Sequence, residues 1–499
     1  MLSLVRSLKN SLAPINRVPP EVFSLIPNHY DTHRTDRDLI MPTHVCRQWR
    51  ELLISSASLW THLNFTNIDK TRAFIQRSKS SPLDIHVRDL GLETYLDNAL
   101  SLVSPHVPRL RSLVISANAI PDILHHFRCH APLLENLNIT SLSRNAHSLD
   151  IALFGGDLSF LRELHLGGGV VTHLPWTNMA NLEVFSLVCP PGCKIMVTQI
   201  LDFFESAPLL YTIGIEGQIS ESSDTPPERI VPLRHLKTFT IIADRAHSIL
   251  KHLNIPTGAS LVVWDSFTGG GESPLLDYLE ETSSSIKNLS HITAVNLCFG
   301  PEGELVQLSG PSGSIRLRAP WDDPETPSEF IMEHRILRSI GPCILSTTRL
   351  TISEYAHFDP DDAEECPVFQ TLSSTNNLQT LVLSSCENLP FVFALDPGKN
   401  ASKLVLCPNL KEIVLYAWSW DDAEDLVSMA KTRALLGAKL SSIKLTCFEG
   451  SEPGTEALKL RDHVTHVEYR VEGAPPEWDY LPDESEGRVW DIVCRSFGS

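Results

Sequence analysis

The chain has 499 residues, 42% of them hydrophobic, and 60 acidic against 41 basic side chains give it a formal net charge of -19. Such length and apolar content exclude a disordered chain and allow either more than one ordinary domain or one extended repeat array. The acidic balance argues against a nucleic-acid binder held by phosphate contacts and against an anionic membrane surface as partner.

Residues 1–14 read as a loose lead-in. From Val18 to Trp60 the chain has the character of a small helical module. Pro19 and Pro20 suit a helix entry, where a missing amide donor costs nothing, and Glu21 puts negative charge on the first turn. A short apolar helix through Val22 and Ile26 is expected next. Thr43 is placed to cap a second helix, on which Val45, Trp49, Leu52 and Leu53 take the i, i+4, i+7, i+8 spacing of one buried face.

The ordered set Val18-Pro19-Pro20-Glu21-Val22, His44-Val45-Cys46-Arg47-Gln48-Trp49-Arg50 and Ser58-Leu59-Trp60 resembles the F-box-like domain of fungal F-box proteins. The continuation Phe74-Ile75-Gln76-Arg77-Ser78 and Ser81-Pro82-Leu83 is similar to the segment that follows the box there. The resemblance implies docking onto the Skp adaptor and cullin core of a ubiquitin ligase. The adaptor contacts it implies are Val18, Pro19, Pro20, Glu21, Val22, Ile26, Val45, Cys46, Trp49, Leu59 and Trp60.

After a connecting segment at 66–104, the pattern L-x-x-L-x-L recurs. It begins as Leu110-Leu113-Ile115, Leu134-Leu137-Ile139, Leu161-Leu164-Leu166, Leu182-Phe185-Leu187, Leu210-Ile213-Ile215 and Leu236-Phe239-Ile241. It returns as Ile292-Val295-Leu297, Leu378-Leu381-Leu383, Leu410-Ile413-Leu415, Leu440-Ile443-Leu445 and, more faintly, Val464-Val467-Tyr469. The early units start roughly 21 to 28 residues apart, within the leucine-rich repeat range. Each Leu-x-Leu predicts a short strand that buries its apolar side by stacking on neighbouring repeats, which makes a parallel sheet. Helical spacing over Ile195 to Glu205 and Ala423 to Leu436 marks two of the returns. The period is lost near 246–285 and again at 300–348, where an inserted loop or strand pair is expected, with a helix from Ser328 to Ile340. The acidic run Asp359 to Glu365 reads as a solvated turn, because it lacks the glycine of a calcium loop.

The eleven cysteines are scattered singly, and Cys189 and Cys193 have no second Cys/His pair at a zinc-site interval, so reduced thiols and no metal or other cofactor are expected. His125-His126 reads as a surface pair rather than a ligand pair. No nucleophile elbow, phosphate loop, H-E-x-x-H or kinase signature occurs. No apolar run reaches the length of a membrane span.

The expected fold class is therefore α/β. A helical F-box-like domain at 15–65 precedes an irregular leucine-rich repeat solenoid at 105–475, with a curved parallel sheet and a tail or cap at 476–499. The expected function is that of a non-enzymatic substrate receptor of a Skp/cullin/F-box ligase, cytoplasmic or nuclear, with a protein target. The alternative is a stand-alone repeat scaffold with no ligase role. Strand alternation sends Ser112, Asn136, Asn138, Glu163, His165, Ser186, Thr380, Glu412, Tyr416, Lys444 and Glu468 to the outward side of the sheet. Glu163, His165, Glu412, Tyr416, Trp418 and Lys444 are the candidate target contacts.

Overall fold

The leucines of the period-two pattern stand side by side on mostly parallel strands, which makes the architecture mixed α/β. The computed structural model describes residues 14–19, 40–88, 93–118, 120–142, 153–168, 179–190, 192–220, 229–264, 291–300, 303–311, 313–319, 345–353, 372–373, 375–384, 389–400, 403–418, 423–447 and 455–471. The chain divides into two compact units, residues 1–193 with 202–208, and residues 194–201 with 209–499. The predicted helix at 328–340, the acidic run at 359–365 and the tail at 476–499 lie outside the described residues.

The first unit begins, after a tight turn at Met41–His44, with helix α1 (Arg47–Ser55). Cys46 caps this helix: its backbone is extended and its sulfur accepts from the Trp49 N–H at 3.5 Å. Thr43, the expected cap, instead donates its hydroxyl to the Ile40 carbonyl at 2.6 Å inside the preceding turn. Val45 therefore precedes the helix and is 61% exposed, so it is not part of the buried stripe, which is centred on Leu53. The turn Ala57–Trp60 follows, then strand β1 (His62–Asn64), helix α2 (Ile68–Ser78) and strand β2 (Leu83–Arg88). Trp60 ties these pieces together. Its fully buried indole donates Nε1–H to the Leu53 carbonyl at 2.9 Å, meets Phe74 edge-on at 4.9 Å and lies under the Arg77 guanidinium at 4.4 Å. Burying a side chain of this size is worth about 1.5–3 kcal/mol, before the ring geometry adds to it.

Beyond α3 (Glu93–Val103) come β3 (Leu110–Ala117), α4 (Ile120–Leu124), β4 (Asn136–Ser141), β5 (Glu163–Gly167) and β6 (Val184–Val188). The six strands pair in chain order, all parallel. The register sets Ile85, Leu113, Leu137, Leu164 and Phe185 in one row and Val87, Ile115, Ile139, Leu166 and Leu187 in the next. All ten are buried. The ladder thus begins ahead of the repeat pattern: β2 alternates correctly but has Pro82 three residues before Ile85, and a register shift sets Leu83 opposite Leu110. Gly168, one residue past β5, has a φ of 67°, and a Cβ there would lie 1.9 Å from the Ser141 carbonyl oxygen, so the site admits only glycine. Helix α5 (Val197–Ser206) forms within two residues of its expected span, and in this unit its Phe203 ring packs on Phe185 at 4.3 Å.

The second unit holds β7 (Lys194–Met196), β8 (Thr212–Ser220), β9 (Val231–Pro232), β10 (Thr238–Asp244), β11 (Leu253–Asn254) and β12 (Ser260–Trp264). It continues through β13 (Ala294–Gly300), β14 (Gly303–Gly310), β15 (Gly313–Ala319) and β16 (Arg349–Ser353). It closes with β17 (Thr380–Ser384), β18 (Glu412–Trp418), β19 (Ser442–Cys447) and β20 (His466–Val471). Strands β9 and β11 pair with each other apart from the rest. The others run β7-β8-β10-β12-β15-β14-β13-β16-β17-β18-β19-β20, parallel except for β14, which is antiparallel to both neighbours.

The 300–348 interruption therefore contributes β14 and β15, two strands of the sheet, between β12 and β13. The 246–285 interruption contributes β12, where Gly258 occupies the motif's first leucine position. The inner rows pass through unbroken: Leu261, Ile315, Leu308, Val295, Leu350, Leu381, Ile413 and Ile443 are in register and buried. Helices α6 (His247–Leu250), α7 (Leu389–Leu395), α8 (Ala423–Leu435) and α9 (Thr455–His463) lie in the returns, and α8 packs against α7 and α9. Arg433 of α8 is fully buried and donates to the Leu406 and Cys407 carbonyls, each at 2.8 Å, fixing the loop before β18. No helix among the described residues is long and apolar enough to cross a membrane.

Candidate functional site

Two kinds of surface carry the sequence-derived candidates: the N-terminal segment and the outward rows of each unit's strands. In the N-terminal segment Val18 is half-buried and Pro19 exposed, while Pro20, Glu21, Val22 and Ile26 lie outside the described residues. Cys46 and Trp49 are half-buried at the start of α1. Leu59 and Trp60 are fully buried and hold α1 to α2, so neither offers surface to a partner in this conformation. Among the described residues here, the large apolar side chains that are exposed are Val45 and Met41, at 61% and 57%, and Ile15 at 39%. Met41 carries no sequence signal, because it lies before the second expected helix and outside the F-box-like motifs.

In the first unit, the outward residues form rows that the register fixes. His62, Asp84, Ser112, Asn136 and Glu163 share one row, and His86, Val114, Asn138, His165 and Ser186 the next. Asp84 is buried and accepts both arms of the Arg111 guanidinium, at 2.9 and 2.5 Å, with His62 Nδ1 3.5 Å away. That hydrogen bond raises the Arg111 pKa. Asn136 donates to the Glu163 carboxylate at 2.5 Å. Burial pushes the Glu163 carboxyl up, and the Asn136 bond pulls in the opposite direction. His165 is 9% exposed, and burial lowers its pKa from 6.5 to about 4, so the ring is neutral at physiological pH. Asn138 and Ser186 beside it are buried as well. This row is polar in composition yet largely withdrawn from solvent.

The outward face of the second unit is different near its C-terminal strands. Glu412 and Lys444 are joined at 2.7 Å across β18 and β19, with Lys444 44% exposed. The Glu412 hydrogen bond and charge raise the Lys444 pKa. Lys444 pairs in register with Glu468, whose carboxylate takes Arg470 at 2.9 Å. Tyr416 is half-exposed. A β-bulge follows it, so that Tyr416 is opposite Thr446 and Trp418 opposite Cys447. Such a bulge cannot be read from alternation, which assumes one residue per step on both strands. Nearer the insertion, the Arg318 guanidinium lies 5.2 Å from the buried Trp264 ring, with Arg316 two residues before it on the same strand. Neither arginine was a candidate, because the 300–348 stretch breaks the repeat period.

A scan against protein-family models finds no match, and a search of curated proteins finds none either. The paired outward residues are hydrogen-bonding and charged groups of both signs. Glu412, Lys444, Glu468 and Arg470 satisfy one another without a partner, so a bound segment would have to replace those pairs.

Proposed function

We propose that this chain is the substrate-recognition subunit of a Skp/cullin/F-box ubiquitin ligase. In this reading an F-box-like segment at 15–65 docks the adaptor, and a leucine-rich repeat array presents the target. The observation that carries the reading is the Trp60 node. The segment with the F-box-like motifs is not a separate bead on a linker: through Leu53, Phe74 and Arg77 it is packed onto the helix that leads into the first strands. A receptor needs its docking segment joined to the fold that follows it, and the Trp60 contacts supply that joint within the first unit. Among the target candidates, Glu412, Tyr416 and Lys444 are favoured over His165, whose ring is buried. No catalytic role is assigned, and the cytoplasm or nucleus is the compartment this role requires.

The test is co-purification of the full chain with a Skp-type adaptor, compared with Val45→Asp and with Val22→Asp, Ile26→Asp. Val45 is exposed, so its substitution leaves the fold intact. Loss of one buried apolar contact of its size is worth about tenfold or more in affinity. Unchanged adaptor binding in both variants would refute the assignment.

The burial of Leu59 and Trp60 favours one competing reading, a stand-alone repeat scaffold without a ligase role, since it removes two of the implied contacts from the surface. Failure of the wild-type chain to bind any adaptor, with a target still captured by its strands, would select that reading.

A further inference from the structure

Three metal-ligating side chains meet in the first unit, away from the surfaces described above. Asp97 projects from α3, and His125 and His126 form the turn His125–Phe127 that directly follows α4. Their ligand atoms all lie within 4.8 Å of one another, the only such trio of His, Cys, Asp or Glu among the described residues. Both imidazoles direct Nε2 at the same carboxylate oxygen, His126 at 2.9 Å and His125 at 3.8 Å. The two rings are packed together with centroids 3.8 Å apart.

This arrangement exceeds what a structural hydrogen bond requires. One imidazole N–H would satisfy the Asp97 oxygen, and the buried His126 already provides it. With His125 Nε2 3.8 Å from the same oxygen, two ring nitrogens and a carboxylate converge, an arrangement suited to a shared positive centre. A divalent first-row cation supplies that centre. Neutral imidazole nitrogens with a carboxylate oxygen are the donor set preferred by zinc, at about 2.0–2.2 Å per bond. Tetrahedral ligation at those bond lengths sets donor atoms about 3.3–3.4 Å apart, which small side-chain rotations reach from the observed spacing.

We propose that Asp97, His125 and His126 form a zinc-class metal site that ties α3 to the turn after α4. On binding, the His126 proton moves from Nε2 to Nδ1, and Nε2 becomes a ligand. Three protein donors leave a fourth position, which is open to water on the exposed side of Asp97 and His125. The site is independent of adaptor or target recognition.

The test uses the full chain, stripped with chelator and titrated with zinc chloride by calorimetry, beside His125→Gln and Asp97→Asn. His125 is half-exposed, so the metal-free His125→Gln variant should melt as the wild type does, and Asp97→Asn keeps a side-chain oxygen to accept from the buried His126. The expected result is one saturable site in the wild type and about 10- to 100-fold weaker binding in each variant, since removing a direct ligand costs at least as much as removing its support. Zinc should also raise the melting temperature of the wild type, by preferential binding to the folded state, and should fail to raise that of His125→Gln. Absence of uptake by the wild type would overturn the proposal. Equal uptake by wild type and variants, which would place the metal on other cysteines or histidines, would overturn it too.

Discussion

Each unit has its own buried apolar rows, but the two build them by different strand orders. In the first, β1 to β6 follow one another in space as they do in the chain. In the second, the chain leaves β12, forms β13 beyond a gap, folds back through β14 and β15 to meet β12, and resumes at β16. Connection length explains the difference. A repeat of twenty-odd residues has room for the crossover that parallel neighbours need, whereas only two residues separate β13 from β14 and two separate β14 from β15. Such connections make hairpins, so β14 must run antiparallel. Val306 and Leu308 still face the core, because side-chain alternation has a period of two in either direction. A strand array of this kind specifies its apolar rows more strictly than its order.

The comparison breaks first at the core. Phe185→Ala in the first unit should cost about 3–5 kcal/mol in denaturant unfolding, since its ring is fully buried against Leu164 and Phe203. Ile315→Ala in β15 should cost about 2–5 kcal/mol. More tellingly, it should raise hydrogen exchange in β12 and β14, its observed neighbours. A rise in β16 with β12 unaffected would overturn the reversed strand order.

The outward rows supply two smaller tests, because His165 in the first unit is buried and Lys444 in the second is half-exposed. His165 is held near pKa 4 by burial, against 6.5 for the ordinary side chain. Above pH 6.5 neither folded nor unfolded chain holds the proton, and the residue contributes nothing to pH dependence. As pH falls from 6.5 towards 4 the unfolded chain takes up a proton that the folded chain refuses, so stability is lost over that window, by about 3 kcal/mol at its lower end. His165→Gln should remove this part of the acid sensitivity, measured as the difference in unfolding free energy between neutral pH and the lower end of that window. Equal acid sensitivity in the variant would mean the ring is accessible. At the exposed pair, Lys444→Ala should cost at most about 1 kcal/mol, and the effect should vanish at high salt, because solvent and ions screen a half-exposed ion pair.

Much of this was legible in the sequence. The eleven L-x-x-L-x-L matches all lead into strands, with their apolar positions buried except Tyr469, and the helices near 195–205 and 423–436 form close to their expected bounds. What escaped followed from the same rule applied too strictly. Strands β2, β12 and β16 carry Pro82, Gly258 and Thr347 at the motif's first position, so the leucine pattern does not mark them. Thr43 lost the cap to Cys46 because its hydroxyl was already engaged with Ile40 in the preceding turn. The His62, Asp84 and Arg111 cluster and the Asp97, His125 and His126 trio join residues from separate elements, and no spacing announces them.

The sequence by itself determined which side of each strand is apolar, since alternation is a local property of the extended backbone and water enforces it everywhere along the chain. Only the tertiary structure decided which outward residues see solvent, which strands are neighbours and which distant side chains meet. Those outcomes depend on how long connections close and on what packs beside each strand. That is why His165 and Lys444, equally polar and both on outward rows, end as a buried neutral ring and a half-exposed ion pair.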